Sequence, residues 1–541
     1  MKYKGSITVF AALSLLLTAS FLFALLEGAR VQGLNTCAEL VSEVGITSIC
    51  AEYQSPLWED YRLLFLDGAY GTGDFSEEKI NSVLCQRISE NLDVAQHSGS
   101  SMYGLSMQSA QVTEYQFASD GKGAVFLQCV AAYMEHNLAQ ETIEKLYERY
   151  REGEEVEQKD TSGYSVEGAD RAIEEAKKAQ EEAAASAEAP SGDGGETSGA
   201  STGGTAGAQT GGASAGGGET AENGADSTAG VVENPGETGG DNPAGADTEN
   251  PLEIVLKLKE NLILEMTAGN VSEISTKQVD LRESMQKRSL KKGTQEADDK
   301  VGWYERVLVG EYLDSYFSNY RKPKEEGAFS YELEYLLCGE DTDKSNLEGT
   351  INRLMLLREG ANIICITMDS AKMNQAKVVA EAIAAAVAQP ELITVIQCGI
   401  VAAWAYVESL LDLRALLRGN KIALVKSREQ WTTNTENLMA SIENDAKAMN
   451  CENGLTYEEY LKLFLYMMGT KKLAYRMMDV MEQSLRLKPG YEHVHMDHMI
   501  CELSCSIQYQ AAPLFGNLSL VQRGAPKGFC FEKEKHFSYK N

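Results

Sequence analysis

The sequence predicts an α+β protein that is predominantly α-helical and is held to a membrane by a single N-terminal helix. Three observations lead to this prediction. An uncharged apolar run lies near the N-terminus, a long stretch in the middle lacks aromatic residues, and helical periodicity dominates the C-terminal half. The chain has 541 residues, which is enough for two to four domains.

The apolar run is Gly5–Leu26, 22 residues without a charge, of which twelve are Leu, Ile, Val or Phe. At a rise of about 1.5 Å per residue it spans roughly 33 Å, enough to cross a hydrocarbon core of about 30 Å. Two lysines precede the run, and a net-neutral pair follows it, which favours a cytoplasmic N-terminus. We therefore predict a single-pass protein of the cell membrane, with residues 1–30 as the anchor and the bulk of the chain extracytoplasmic.

A secretory signal peptide and a lipoprotein signal are the two rival interpretations. A signal peptide has a small-residue site directly after an apolar run of about 7–15 residues. Here the run is longer, and Glu27 stands three residues before the obvious cut. Cys37, the candidate lipoprotein cysteine, lies well past the run. An anchor that stays on the protein fits the residues better.

The helical pattern continues beyond the membrane segment as a predicted stem. No proline interrupts Glu27 to Tyr53, and apolar residues recur there at three- and four-residue steps: Leu34, Cys37, Val41 and Val44. One long helix is expected, with its first half in lipid and an amphipathic second half. This is the shape of a type IV pilin stem.

Lys4, Gly5 and Ser6 form a possible processing site. A short basic leader that ends in Gly ahead of an apolar run resembles the cut site of a prepilin peptidase. Pilins usually carry Glu five residues after the cut, and Phe10 stands there instead. An uncleaved signal anchor explains the same residues equally well.

A disordered acidic linker rich in Gly, Ala and Ser is predicted over 161–250. It separates a stem and small α+β unit, 31–160, from a helical C-terminal domain with short strands, 251–541. Residues 191–250 hold 18 glycines, and no Phe, Tyr or Trp occurs from Ser165 to Gly302. Such a segment buries too little apolar surface to offset its chain entropy. We expect the flanking parts to pack together, with the linker looped out.

Charge and cysteine content exclude some classes of function. The net charge of −31 argues against nucleic acid as a partner, because phosphates require a basic patch. Eleven cysteines are too few for a disulfide scaffold, so most are expected as small buried apolar residues. Cys501 and Cys505 share a face of one predicted strand, but at about 13 Å they are too far apart for a disulfide.

The C-terminal domain is predicted to combine helices with two strands. Alternation predicts strands over Phe329–Leu337 and Met499–Gln510. A helical pair, Asp369–Ala388 and Glu391–Leu417, is broken at a proline. The second helix is expected to form the core around Trp404 rather than a second membrane span.

Candidates for chemistry are sparse. His493, His495 and His498 form the one metal-like cluster, and we interpret it as adventitious because no cysteine or second acidic residue has zinc-site spacing nearby. The sequence has no H-E-x-x-H, phosphate-binding loop or dinucleotide fingerprint. Arg358-Glu359 and Glu408 are expected in helix–helix ion pairs, with a buried polar network as the alternative. We predict no catalytic residue, no cofactor and no enzymatic activity.

A family resemblance is carried by Gly5–Phe10, Leu26–Arg30, Glu52-Tyr53, Leu57, Tyr61, Glu332–Tyr335, Gly339, Leu357–Glu359, Asn362, Ala403–Ala405, Glu408-Ser409, Asp412–Arg414, Leu417, Gly419, Lys426-Ser427 and Trp431. Together these stretches resemble an uncharacterised family, a domain of unknown function encoded beside Tad-type (Flp) pilus genes in Gram-positive bacteria. The N-terminus looks like those of TadE/TadG-type minor pseudopilins. The resemblance covers nearly everything except 160–250 and implies a context but no activity.

Three functions follow as hypotheses. The first is a structural or assembly protein of a Tad-like pilus or secretion apparatus, with pilus or secretion proteins as partners. The second is a surface ectodomain that binds cell-wall or host ligands, with the acidic segment as a spacer. The third is a metal-dependent hydrolase at the three histidines.

Overall fold

The protein folds into a helical body with a small antiparallel sheet, which confirms the predicted class. A computed structural model describes residues 4–97, 104–135, 140–187, 250–269, 271–436, 438–443, 448, 450–513 and 528–540. The helices in these ranges are α1 (Lys4–Cys50), α2 (Ser55–Tyr61), α3 (Glu77–His97), α4 (Ala124–Glu135), α5 (Gln140–Glu157), α6 (Val166–Ala187), α7 (Pro251–Lys259), α8 (Ile263–Thr267), α9 (Trp303–Tyr316), α10 (Glu332–Cys338), α11 (Asp343–Met368), α12 (Ser370–Ala386), α13 (Ile393–Leu417), α14 (Leu438–Glu443), α15 (Tyr457–Met467) and α16 (Thr470–Arg486). The strands are β1 (Leu66–Asp67), β2 (Leu105–Phe117), β3 (Met499–Ala511) and β4 (Phe529–Ser538).

Helix α1 is one continuous helix of 47 residues, and its two halves have different surroundings. All twelve large apolar side chains from Ile7 to Leu26 are exposed. By length and composition, two described helices could cross a membrane, Ile7–Cys50 and Pro390–Leu417. The second is mostly buried, and Trp404 is 1% exposed, so it is the core helix that the sequence predicts.

The second half of α1 packs on α3 and on one face of the sheet, forming what we call the stem module. Its buried face follows helical spacing: Leu34, Ala38, Val41, Ile46 and Ile49. The predicted face is right at two of its four positions, whereas Val44 is 48% exposed and Cys37 is half-buried. A Cβ on Gly45 would lie 2.6 Å from Cγ1 of Ile88, so the absence of a side chain permits the close approach of α3.

Strand β3 is the centre of the sheet and pairs antiparallel with β1, β2 and β4. Leu503 of β3 lies opposite Tyr115 of β2 and Phe537 of β4. Because β2 precedes the predicted linker and β3 follows it, the sheet joins the two flanking parts. These parts therefore pack together, as expected.

A β-bulge in β3 places Cys501 and Cys505 in different cores. Phe117 of β2 is opposite Ile500, and the next paired residue, Gln116, is opposite Glu502, so Cys501 is passed over. Cys501 packs into the helical body and Cys505 into the stem module. The prediction that both share one face is wrong, because a bulge re-aims the side chains that follow it.

The helices other than α1 and α3 form the helical body. It surrounds α13, which contacts α6, α7, α11 and α12. The strand predicted over Phe329–Leu337 is wrong, since its last six residues belong to α10. The polar residues that alternate with apolar ones in this segment include buried carboxylates, so they do not mark a solvent-exposed face. Glu332 and Glu334 are fully buried and accept hydrogen bonds from the N–H groups of Ser318 and Tyr320.

The predicted linker 161–250 starts too early. Val166–Ala187 is helix α6, whose buried Val166, Ala169 and Ile173 pack against the helical body. These residues lie three and four positions apart and therefore share one face of α6. This face packs against the helical body without any aromatic residue. The rest of the predicted linker, 188–249, lies outside the described residues.

Candidate functional site

The possible processing residues lie where α1 begins. Lys4, Gly5 and Ser6 form the first turn of this helix. Phe10, which takes the position where pilins usually carry Glu, is 72% exposed. The residues that follow the proposed cut are thus helical and apolar, as a lipid-embedded segment requires.

The histidines lie between α16 and β3, and the structure brings only part of the set together. The ring centroids of His495 and His498 are 5.2 Å apart. Potential ligand atoms of Glu482, His495 and Asp497 all lie within 4.8 Å of one another. His493 is not in this group; its Cβ faces Gly73 instead.

Two guanidinium groups already neutralise the carboxylates of this group. Arg288 donates to both carboxylate oxygens of Glu482 and to Oδ1 of Asp497, each at 2.6 Å. Arg486 lies 2.7 Å from Glu482 and 2.9 Å from Nδ1 of His495. A metal cation would have to displace these cations. Burial opposes ionisation of Asp497, but Arg288 holds its pKa below the ordinary value, as expected for an ion pair.

A more deeply buried group of charges lies inside the helical body. We call Arg358, Glu408, Asp412 and Lys426 the charge cluster; their side chains are 0% exposed. Nη2 of Arg358 lies 2.8 Å from Oδ2 of Asp412, and Nζ of Lys426 lies 2.5 Å from Oδ1. Lys426 also contacts Glu408. Two cations thus face two anions, and the cluster is neutral.

Helical spacing positions the anions of the charge cluster. Glu408 and Asp412 are four residues apart on α13 and therefore lie on one face. Arg358 and Asn362 have the same spacing on α11, and both donate to Oδ2 of Asp412. Burial disfavours the charge of Asp412, but Arg358 and Lys426 hold its pKa below the ordinary value.

The charge cluster fastens the loop that follows α13. Nη1 of Arg358 donates to the carbonyls of Ala423 and Leu424, at 2.9 and 2.7 Å. Glu408 accepts from the backbone N–H groups of Thr432 and Thr433, at 3.1 and 3.0 Å. Each charge is held by partners, and the four side chains have no contact with solvent. The arrangement therefore suits a structural role, with no access for a substrate.

Residues 242–511 match a family described as Family of unknown function (DUF5702). The charge cluster and the Glu482–Asp497 group lie inside the DUF5702 match, whereas α1 lies outside it. No curated protein and no solved structure matches the chain. The pilus context and the pilin-like N-terminus stay predictions.

Sequence reasoning found only part of the charge cluster. It singled out Arg358 and Glu408 but favoured ordinary helix–helix ion pairs, with Glu359 as a member. The cluster instead uses Asp412 on α13 and Lys426 on a loop. The buried polar network that it kept as the alternative is correct for Arg358 and Glu408. Two carboxylates on one face of an otherwise apolar helix could have indicated the cluster. Charged side chains are rarely buried without partners, so such a face predicts cations packed against it. Lys426 lies outside any helix or strand, so no periodicity could indicate that it is buried.

Proposed function

We propose that this chain is a membrane-held extracytoplasmic component of a Tad-like pilus or secretion apparatus, with a structural or assembly role like that of a minor pseudopilin. The observation that carries the proposal is α1, a continuous helix of 47 residues. Its exposed apolar half suits lipid, and its second half is packed into the stem module. A pilin stem combines the same two properties.

Lipid is the favourable environment for Ile7–Leu26. In water, exposure of all twelve large apolar side chains is unfavourable, whereas Leu, Ile, Val and Phe each favour insertion by about 0.3–0.6 kcal/mol near the centre of a bilayer. Burial within the protein begins at Arg30, whose guanidinium donates to Glu27 at 2.9 Å. The folded part therefore starts within about one helical turn of the apolar run and lies next to the headgroups. This proximity favours partners at the membrane over distant ligands.

The outward face of the stem offers a contact for such a partner. Leu40 is 60% exposed and Val44 is 48% exposed, on the side of α1 away from the buried face. Apolar residues on this side suit the stem helix of a neighbouring subunit. We therefore place the partner contact at these two residues.

N-terminal sequencing of the mature protein from membranes tests the anchor. A chain that begins at Ser6 supports prepilin-type processing, and one that retains Lys4 and Gly5 supports an uncleaved anchor. A mature chain that begins beyond Leu26 would identify a removed signal peptide and would overturn the proposal.

A pair of variants tests the assembly role. Leu40→Glu combined with Val44→Glu should remove pilus or secretion proteins from cross-linked complexes, because the charges oppose an apolar contact. Leu356→Glu is the matched control, since Leu356 is 70% exposed on α11 in the helical body. All variants should reach the membrane in equal amounts. If deletion of the whole protein leaves pilus assembly and its partner set unchanged, the proposal is wrong.

A further inference from the structure

Two buried cysteines that are far apart in sequence meet between α4 and β3. The Sγ atoms of Cys129 and Cys501 lie 2.7 Å apart, although the two residues are 372 positions apart in the chain. Cys129 is 6% exposed and Cys501 is 0% exposed. We propose that Cys129 and Cys501 form a disulfide bond in the mature protein, which ties the part before the predicted linker to the part after it.

Backbone contacts that do not involve the sulfur atoms bring these two residues together. The N–H of Ala118, directly after β2, donates to the carbonyl of Met499 at 2.9 Å. The bulge in β3 then turns Cys501 out of the ladder and towards α4. An S–S bond is about 2.05 Å long, so the two sulfurs need to move by less than one bond length.

Other cysteines have different partners. The thiol of Cys85 donates to the carbonyl of Ala110, and that of Cys365 donates to the carbonyl of Lys426. Cys338 contacts the hydroxyl of Thr350. Cys129 and Cys501, in contrast, contact each other. The contact between two sulfur atoms therefore distinguishes Cys129 and Cys501 from these three cysteines.

Formation of the bond requires an acceptor for two electrons. The thiolate of one cysteine attacks an external disulfide, such as that of a thiol–disulfide oxidoreductase, and one sulfur of that disulfide leaves as a thiolate. The second cysteine, after losing its proton, displaces the other sulfur and closes the Cys129–Cys501 bond. The acceptor leaves as a dithiol that carries both electrons and both protons.

The bond must form before α4 covers β3. Burial raises the pKa of Cys501 well above its ordinary value, so the folded protein holds little of the thiolate that reacts. Disulfides persist in oxidising compartments. The inference therefore rests on the proposed extracytoplasmic location.

A cleavable version of the full chain tests the pairing. A protease site is inserted within 191–250, and the protein is extracted from membranes with its free thiols alkylated. After cleavage and denaturation in detergent, the two fragments should migrate as one species without reductant and as two with it. Cys129→Ser and Cys501→Ser should each give two species in both conditions. Cys505→Ser, which alters another buried cysteine of β3, should behave like the wild type.

Counting the free thiols of the wild-type protein tests the disulfide without relying on variants that could fail to fold. Unfolded wild-type protein should accept two fewer alkyl groups than the eleven cysteines in the sequence allow, and reduction should restore both. Wild-type fragments that separate without reductant would count against the bond in cells.

The full chain is then refolded with a mixture of reduced and oxidised glutathione. If the bond forms only in this mixture, the pairing is right and the proposed location is wrong. If the bond is absent both in protein from membranes and after refolding in the glutathione mixture, the pairing itself is wrong.

Discussion

The buried carboxylates of this protein differ in the partners that hold them. Asp412 faces two cations, whereas Glu334 accepts hydrogen bonds from the N–H of Tyr320 and the hydroxyl of Tyr457, at 2.8 and 2.7 Å. Asp479 accepts from the N–H of Met285 at 2.7 Å. A nearby cation favours the charged carboxylate, while burial favours the neutral acid. The two kinds of site should therefore respond differently to mutation and to pH.

Asp412→Ala should lower the free energy of unfolding by about 3–5 kcal/mol, because it leaves Arg358 and Lys426 buried without their shared anion. Urea denaturation of the detergent-solubilised protein measures the change. Arg282→Ala is the control, since this side chain is 87% exposed in its pair with Asp280. That variant should change the stability by no more than about 1 kcal/mol. A loss in Asp412→Ala no larger than in the control would show that the charge cluster does not stabilise the fold.

Stability should fall as the pH rises from about 4.5 to 7. Burial raises the pKa of Glu334 from 4.5 and that of Asp479 from 3.8, in each case to about 7. Within this window the folded protein keeps protons that the unfolded chain releases, so each group costs up to about 1.4 kcal/mol per pH unit. Denaturation midpoints between pH 4.5 and 7 measure this slope.

Glu334→Gln should flatten that slope, because an amide cannot titrate. Glu340→Gln makes the same change at an exposed residue nearby, and the slope should persist in this control. A stability that is equal at pH 5 and pH 7 in the wild type would contradict the assignment of these two carboxylates as neutral acids in the fold.

At the scale of elements, the crossing of α1 and α3 depends on one glycine. Gly45→Leu should destabilise the stem module by about 1–3 kcal/mol, because a Cβ there would meet Ile88 at 2.6 Å. Hydrogen exchange of α3 measures the loosening. Gly28→Leu is the matched control on the same helix, where nothing lies within 4 Å of the added Cβ. Equal protection of α3 in both variants would refute the close crossing.

The elements differ in how far the sequence could predict them. α1, α13 and β3 follow from local periodicity, because each has a continuous buried face or a continuous apolar surface. α10 could not be recognised, because its carboxylates are satisfied by residues distant in sequence: Tyr457 lies 123 positions from Glu334. The charge cluster needs Lys426 from a loop, and the bulge at Cys501 depends on pairing with β2. Such contacts arise from tertiary structure, which periodicity does not encode.

At the scale of the whole molecule, the two parts on either side of 188–249 share contacts that need no linker. The hydroxyl of Tyr312 donates to the carbonyl of Tyr61 at 2.6 Å, and the hydroxyls of Tyr133 and Tyr316 lie 2.7 Å apart. Together with the pairing of β2 and β3, these contacts make one core from two segments of the chain.

Separate chains comprising 1–187 and 250–541 should therefore assemble when they are co-expressed. Co-purification through a tag on one chain, under reducing conditions, measures assembly without the proposed disulfide. Ile507→Asp should prevent it, because this residue is 0% exposed in the stem module, where a lone charge is costly. Recovery of the tagged chain alone in the wild-type pair would show that covalent connection is required.

The place of β3 in the sheet has a consequence for biosynthesis. The hydroxyl of Ser42 on the stem lies 2.8 Å from that of Tyr509, a residue 467 positions later in the chain. At about 5–20 residues per second, the ribosome adds that partner on the order of 20–90 s after the stem itself. The part of the stem's apolar face that packs on β3 and β4 is thus among the first surfaces made and the last to be covered. Throughout that interval a nascent chain presents it to chaperones, and the final strands complete the fold only when synthesis is nearly over.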